Sequence, residues 1–340
     1  MTAANSPLRY AVIGCGYWGP NLIRNLHGME NATITWACDL DPSRLQRMNR
    51  LYPGLPTTTN HEDVMRAGDV DVVVLATPTH THHALGMQAL AAGKHLLVEK
   101  PLASSRKEAA SLLEAARAKS LVVGVDHTFL YGGAVRKIKE LLDREELGDL
   151  YYIDSVRVNL GLFQADINVL WDLAPHDLAI IDYLRNGEMP VSVSAHGATH
   201  VGKQENVVYL AMRYASGFVA HVNANWLAPV KIRQMLIGGS KKMIVYDDVV
   251  ASEKVQVFDR GAEIRTKEEM YGALVEYRSG DMWAPKLSGE EALAVELREF
   301  TNHVLHGAPF ASDGEAGLRI VSLLEAADRS MKSGGAPVDL

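Results

Sequence analysis

Over roughly the first 125 residues, short runs of almost uninterrupted apolar residues alternate with longer stretches in which apolar positions return every three or four residues. The runs at 8–13, 34–38, 71–76, 95–99 and 121–125 are too short for helices and too apolar for strands with one wet face. They predict parallel strands covered on both faces. The intervening segments predict helices over 20–27, from Asp41-Pro42-Ser43 onward, and over 80–92 and 104–119, with proline in a first turn as an added start signal. From about residue 131 the rhythm changes. A helix at 134–143, ending near Gly148, a strand at 150–160 and a helix at 172–184 precede strand-like runs at 191–200, 206–214, 218–226, 234–237 and 242–246. Strands clustered without helices between them predict a mostly antiparallel sheet, hence an α/β domain followed by an α+β domain. Helices at 290–305 and 314–331 close the chain, and the tail SGGAPVDL is expected to be a loosely held end.

Composition narrows the class. The 340 residues carry 34 Lys+Arg against 41 Asp+Glu, a net charge of −7, with no block of like charge, so nucleic acid is not an expected partner. No apolar run is long enough for a membrane helix, and MTAANSPLRY lacks the basic start and apolar stretch of a signal peptide, so a cytoplasmic protein is expected. Two cysteines, Cys15 and Cys38, exclude a disulfide scaffold and a cysteine-built zinc site.

Gly14-Cys15-Gly16-Tyr17-Trp18-Gly19 fits G-x-G-x-x-G directly after a strand and opening a helix. Gly14 permits the turn, Gly16 lets backbone approach a pyrophosphate, and Gly19 lets helix and strand pack closely. Asp39 ends the next strand, where an acid accepts from adenosine ribose hydroxyls, and Arg44 lies a turn into the following helix. This context predicts a Rossmann dinucleotide site. Thr77-Pro78 leaves the third strand where ligands bind in open sheets. His80, His82 and His83 follow closely, but nothing completes the ligand set of a metal, and none is expected. Glu99-Lys100-Pro101 leaves the next strand; it reads equally as a surface ion pair or as a lysine that holds a substrate hydroxyl. Asp172 and His176, four apart at a helix start, share one face, as a capping acid with a buried histidine or as an acid–base pair.

Taken together and in this order, the glycine loop, Thr77-Pro78, Glu99-Lys100-Pro101 and Asp172…His176 resemble the glucose–fructose oxidoreductase / inositol dehydrogenase / rhizopine-catabolism (Gfo/Idh/MocA) family. The runs 16–21, 127–131, 155–159 and 171–176 are similar to its branch of UDP-N-acetylglucosamine and UDP-N-acetylglucosaminuronate 3-dehydrogenases. The resemblance implies a Rossmann domain (1–128) and an α+β domain (129–340) with an open-faced, mostly antiparallel sheet, the final helices able to pack back on the first domain. It implies NAD as cofactor, contacted by Gly14, Gly16, Tyr17, Trp18, Gly19, Asp39, Arg44, Thr77, Pro78, His80, Glu99 and Lys100. It implies hydride transfer at a ring hydroxyl, that on C3, of a sugar nucleotide or related sugar, with Lys100, Asp172 and His176 catalytic and with Arg157, Asn159 and Trp171 as further substrate contacts. Gly132-Gly133 departs from the Asn-Pro of relatives at that point. Lys231 and Arg233 suit either a substrate anion or solvent. Two other readings remain open: a cyclitol or aldose dehydrogenase, and a dinucleotide-binding sensor without catalysis. A homodimer or homotetramer is expected, because Val208, Leu210, Val219 and Val222 on strands would otherwise form an exposed apolar face.

Overall fold

The computed structural model describes residues 6–161, 163, 167–263 and 276–340. The chain divides into two compact units, 1–131 with 290–322 and 132–289 with 323–340. The first boundary falls three residues beyond the expected one, and the penultimate helix belongs wholly to the first unit.

In the first unit, β1 (Leu8–Ile13), β2 (Ala32–Cys38), β3 (Thr57–Thr58), β4 (Val72–Leu75), β5 (His95–Glu99) and β6 (Val123–Asp126) form a parallel sheet in the order β3-β2-β1-β4-β5-β6. Every residue of β4 is buried, as a strand covered on both faces requires. The crossovers carry α1 (Gly19–His27), α2 (Pro42–Leu51), α3 (His61–Arg66), α4 (Thr79–Ala91) and α5 (Arg106–Ala118). Each start has a local cause where a side chain caps it: Asp41 accepts from the Ser43 N–H, Asn60 from that of Glu62 and Ser105 from that of Glu108. The short β3 and α3 have too few apolar positions to show a period in the sequence. The later helix α8 (Ala292–His306) closes this core: its Phe300 is fully buried, and Thr301 Oγ1 lies 2.7 Å from the Tyr10 hydroxyl on β1.

The second unit opens with α6 (Gly133–Asp143), β7 (Leu150–Leu160) and α7 (Val169–Leu184). It continues through β8 (Ser192–Ala198), β9 (Val207–Arg213), β10 (Val219–Asn225), β11 (Leu227–Gly239), β12 (Met243–Asp247), β13 (Val255–Glu263) and β14 (Glu276–Trp283). The sheet runs β14-β13-β12-β11-β7-β10-β9-β8-β15, where β15 is Val338–Asp339. Among the described residues of this sheet only the β7–β10 pair is parallel. The Gly132-Gly133 departure has a steric reason: a Cβ on Gly133 would lie 2.4 Å from the Ser288 carbonyl oxygen. The helix α9 (Gly314–Lys332) contributes to both units.

Two expectations are corrected. The tail is tied down, with Val338 and Asp339 pairing Val193 and Ser192, and Ser194 Oγ donating to the Gly335 carbonyl at 2.5 Å. The four valine and leucine positions do not share one face. Leu210 pairs with Val222 and Val208 with Ala224, and all four are buried on the inner face, whereas Val219, an odd number of residues from Val222, lies on the outer face and is 47% exposed. That outer face carries exposed Tyr209, Val219 and Leu236 instead.

Candidate functional site

Strand order reverses between β1 and β4, where an open α/β sheet forms its ligand crevice. Gly14 sits there at φ +100°, and a Cβ on it would lie 2.3 Å from the Ala76 carbonyl oxygen at the end of β4. A Cβ on Gly19 would come within 1.9 Å of the Gly14 oxygen. Gly16 differs: a Cβ there would meet only the Arg44 guanidinium, at 3.5 Å, so the loop's middle glycine opens outward. No side chain caps α1. The positive end of the helix is thus not screened by a capping side chain of Trp18, which suits a pyrophosphate. The chain's own geometry fits a dinucleotide.

Asp39 is 7% exposed and accepts from the Cys15 N–H (2.7 Å), the Asp41 N–H (2.8 Å) and Arg44 Nη1 (3.3 Å). Two backbone donors and one cation fix the carboxylate at the end of β2 and hold it to the glycine loop. Of the other expected cofactor contacts, Tyr17 is 92% exposed, and the Trp18 indole N–H donates to Asp126 Oδ2 at 2.5 Å. Pro78 caps α4, and His80 on its first turn is exposed. Thr77 Oγ1 lies 2.7 Å from Thr81 Oγ1. His82 is buried, with Nδ1 3.0 Å from the Pro101 carbonyl oxygen and Nε2 2.8 Å from that of Thr77. It ties the loop after β4 to the loop after β5, and burial lowers its pKa. No cluster of metal-binding side chains occurs among the described residues. Glu99 accepts from the Lys100 N–H, and Lys100 is half-buried beside His127, whose pKa burial and then the lysine charge push down to about 3. The imidazole of His127 is therefore neutral.

In the second unit α7 starts at Val169, three residues before the expected start, because Asn168 caps it by accepting from the Trp171 N–H (3.2 Å). Asn168 Nδ2 donates to Glu205 and Asp328, and the Trp171 indole donates to Asp328 Oδ2 at 2.8 Å. Burial raises the pKa of Asp328. Trp171, only 8% exposed, thus anchors the helix start rather than lining a surface. Asp172 and His176 follow one turn apart, both half-buried, and Asp172 Oδ2 accepts from the Trp226 indole at 3.1 Å. Asn159 lies beside this group, since a Cβ on Gly161 would touch both its Nδ2 (2.9 Å) and Trp226 (3.0 Å).

Arg157 is placed elsewhere. It is 3% exposed and donates to Asp177 through Nε (2.5 Å) and Nη2 (3.3 Å), while Ser155 Oγ donates to the same carboxylate at 2.8 Å. The buried pair joins β7 to α7, so a core role replaces the expected sugar contact. Arg233 pairs with Asp248 at 3.3 Å. Asn168, Trp226, Asp328, Asp126 and Glu296 were not singled out in the sequence, because no spacing ties them to the residues they hold.

Residues 8–127 match the family model described as "Oxidoreductase family, NAD-binding Rossmann fold", and 135–245 match the GFO/IDH/MocA C-terminal domain. The chain is 27% identical over 318 residues to UDP-N-acetylglucosamine 3-dehydrogenase of Acidithiobacillus ferrooxidans, covering 93% of this chain and 94% of that one. It is 24% identical over 344 residues to myo-inositol 2-dehydrogenase of Thermotoga maritima, covering 96% of each. The fold matches that of the WlbA dehydrogenase from Bordetella pertussis, solved with NADH and UDP-GlcNAcA, with a TM-score of 0.83 at 19% identity over 100% of this chain and 99% of that one.

Proposed function

Because this chain belongs to the GFO/IDH/MocA family of NAD-binding oxidoreductases, we propose that it oxidises or reduces C3 of a UDP-linked N-acetylhexosamine or a closely related sugar nucleotide. The observation that carries this reading is Asp172 and His176 on one face of α7, held by the Trp226 indole and by Asn168, in a chain that also keeps Lys100 at the end of β5. A sensor would need the glycine loop but neither of these features. When bound, NAD supplies the hydride acceptor or donor at its nicotinamide ring. The glycine loop and α1 receive the pyrophosphate, and Asp39 takes the adenosine ribose. Lys100 and His176 serve the reacting hydroxyl, the lysine as a cationic donor and the histidine as the group that takes or returns its proton. Asp172, one turn before His176 on α7, orients the imidazole, and Asn159 is the remaining substrate contact. The full-length likeness to an inositol dehydrogenase supports a second reading, a cyclitol as substrate at the same residues.

Incubating the protein with NAD and a panel of UDP-N-acetylhexosamines, sugar phosphates and inositols, and following NADH, separates the two readings. Lys100→Met should lower kcat by about 10²–10⁴-fold while changing NAD affinity far less. Full activity in that variant refutes the assignment.

A further inference from the structure

The first unit encloses a polar cluster that the proposed reaction does not use. Asp126, at the end of β6, is 3% exposed, and Glu296 on α8 is fully buried. Asp126 accepts at both oxygens, from Trp18 Nε1 at Oδ2 and from Thr128 Oγ1 at Oδ1, each at 2.5 Å. Glu296 Oε1 also accepts twice, from the His127 N–H (2.9 Å) and from Ser312 Oγ (3.3 Å). The Tyr131 hydroxyl stands 2.7 Å from Ser312 Oγ and completes the chain of donors.

The remaining oxygen decides the chemistry. Glu296 Oε2 is buried and has no partner while it acts as an acceptor, and the Asp126 carboxylate stands close enough to act on it. Two ionised carboxylates offer only acceptors, so this contact requires a proton. Both Asp126 oxygens are engaged as acceptors. Glu296 Oε2 is the atom left to carry it. Burial first, then the Asp126 charge and the hydrogen bond to it, raise the pKa of Glu296 well above the usual carboxylate range. The other titratable groups around the pair are His127 and Lys100 at the strand ends, Tyr131 on the turn after β6, and Glu299 on α8. Burial holds His127 neutral and Tyr131 protonated. Neither competes for the proton.

We propose that Glu296 is kept as the neutral acid and donates to Asp126, making it a positioning residue that fixes Trp18 and with it the glycine loop that receives the dinucleotide. This rests on the reading that the loop binds NAD. The hydrogen bonds run in one direction, from Tyr131 through Ser312 to Glu296 and on to Asp126, which is left as the single acceptor for the indole.

Glu296→Gln and Glu296→Leu in the full chain test it by calorimetric NAD titration, infrared spectroscopy and thermal unfolding. A glutamine amide reproduces both the donor and the acceptor, so Glu296→Gln should bind NAD as wild type does. Glu296→Leu should weaken binding about tenfold, the loss of roughly one buried hydrogen bond to a charged group. Trp18→Phe should weaken binding similarly on its own and add little in the Glu296→Leu background. The carbonyl stretch of a protonated carboxyl should be present in wild type at neutral pH and absent in Glu296→Gln. A group whose pKa is raised on folding contributes stability that is complete below its unfolded pKa and lost as pH rises toward the folded value. Wild type should therefore lose Tm relative to Glu296→Gln as pH rises above about 4.5, the ordinary glutamate range. Absence of the infrared band, a slope of opposite sign, or additive losses in the double variant overturns the proposal. Failure of wild type to bind NAD would refute the cofactor reading alone, leaving the infrared and stability results to judge the proton. If Glu296→Leu does not fold, the infrared and pH results on wild type and Glu296→Gln still decide.

Discussion

Replacing Arg157 by methionine sets the structure against the sequence-based expectation for the same residue. The Arg157 and Asp177 side chains are 4% and 3% exposed, and the aspartate accepts from Arg157 and from Ser155. Methionine keeps the apolar stem but leaves the aspartate buried without its cation. Removing one partner of a buried ion pair costs about 3–5 kcal/mol. For a unit of this size each kcal/mol shifts Tm by about 2–4 °C, so Tm should fall by roughly 10 °C. Replacing both residues, as in Arg157→Met with Asp177→Leu, removes the stranded charge and should recover most of the loss. Thermal and urea unfolding of the single and double variants, with KM for the sugar measured below the transition, give the answer. A single variant with wild-type Tm and a raised KM would refute the structural assignment and restore Arg157 as a substrate contact.

Three further outcomes are expected. Gly19→Ala places a Cβ 1.9 Å from the Gly14 oxygen, so it should abolish NAD binding in calorimetry and lower Tm; a variant that binds normally would show that the loop has room to shift. Wild type should prefer NAD to NADP in kcat/KM because the Asp39 carboxylate repels a ribose phosphate, and Asp39→Ala should narrow the gap by freeing Arg44; equal values in wild type would place Asp39 away from the ribose. The outer face bearing Tyr209, Val219 and Leu236 should be covered in a homodimer or homotetramer, and light scattering that finds only a 37.2 kDa species at micromolar concentration would contradict this.

Much of the first unit was legible because its information is local. The strand at 8–13, the glycine loop and Asp39 stand within one βαβ stretch, and Gly14 and Gly19 each have a backbone neighbour that excludes a side chain. The same holds for Asp172 and His176, whose spacing is helical. Where the sequence misled, the deciding partner is distant. Asn168 starts α7 early, but its support comes from Glu205 and Asp328. Glu296 meets the His127 backbone across 169 residues, and no period records such a contact. The tail appears unstructured by composition, yet it finds β8, an edge strand with an open ladder. Arg157 resembled a ligand contact because an arginine on a strand carries no mark of which face it takes.

Neither unit is continuous in sequence, and this governs how the chain can be born. Residues 290–322 supply the first unit with Phe300, Thr301 and Glu296, and 323–340 supply the second with α9's last turns and the edge strand β15. A nascent chain that has emerged through residue 131 holds all six strands of the parallel sheet but lacks the helix that Tyr10 and Gly124 pack against. Domains usually fold as units in the order of synthesis. Here both cores are finished only by residues 290–340, so the strand-rich early chain is incomplete until these have been made. A protein cut at residue 131 lacks Phe300, Thr301 and Glu296 and is therefore an unfinished module rather than a free-standing one.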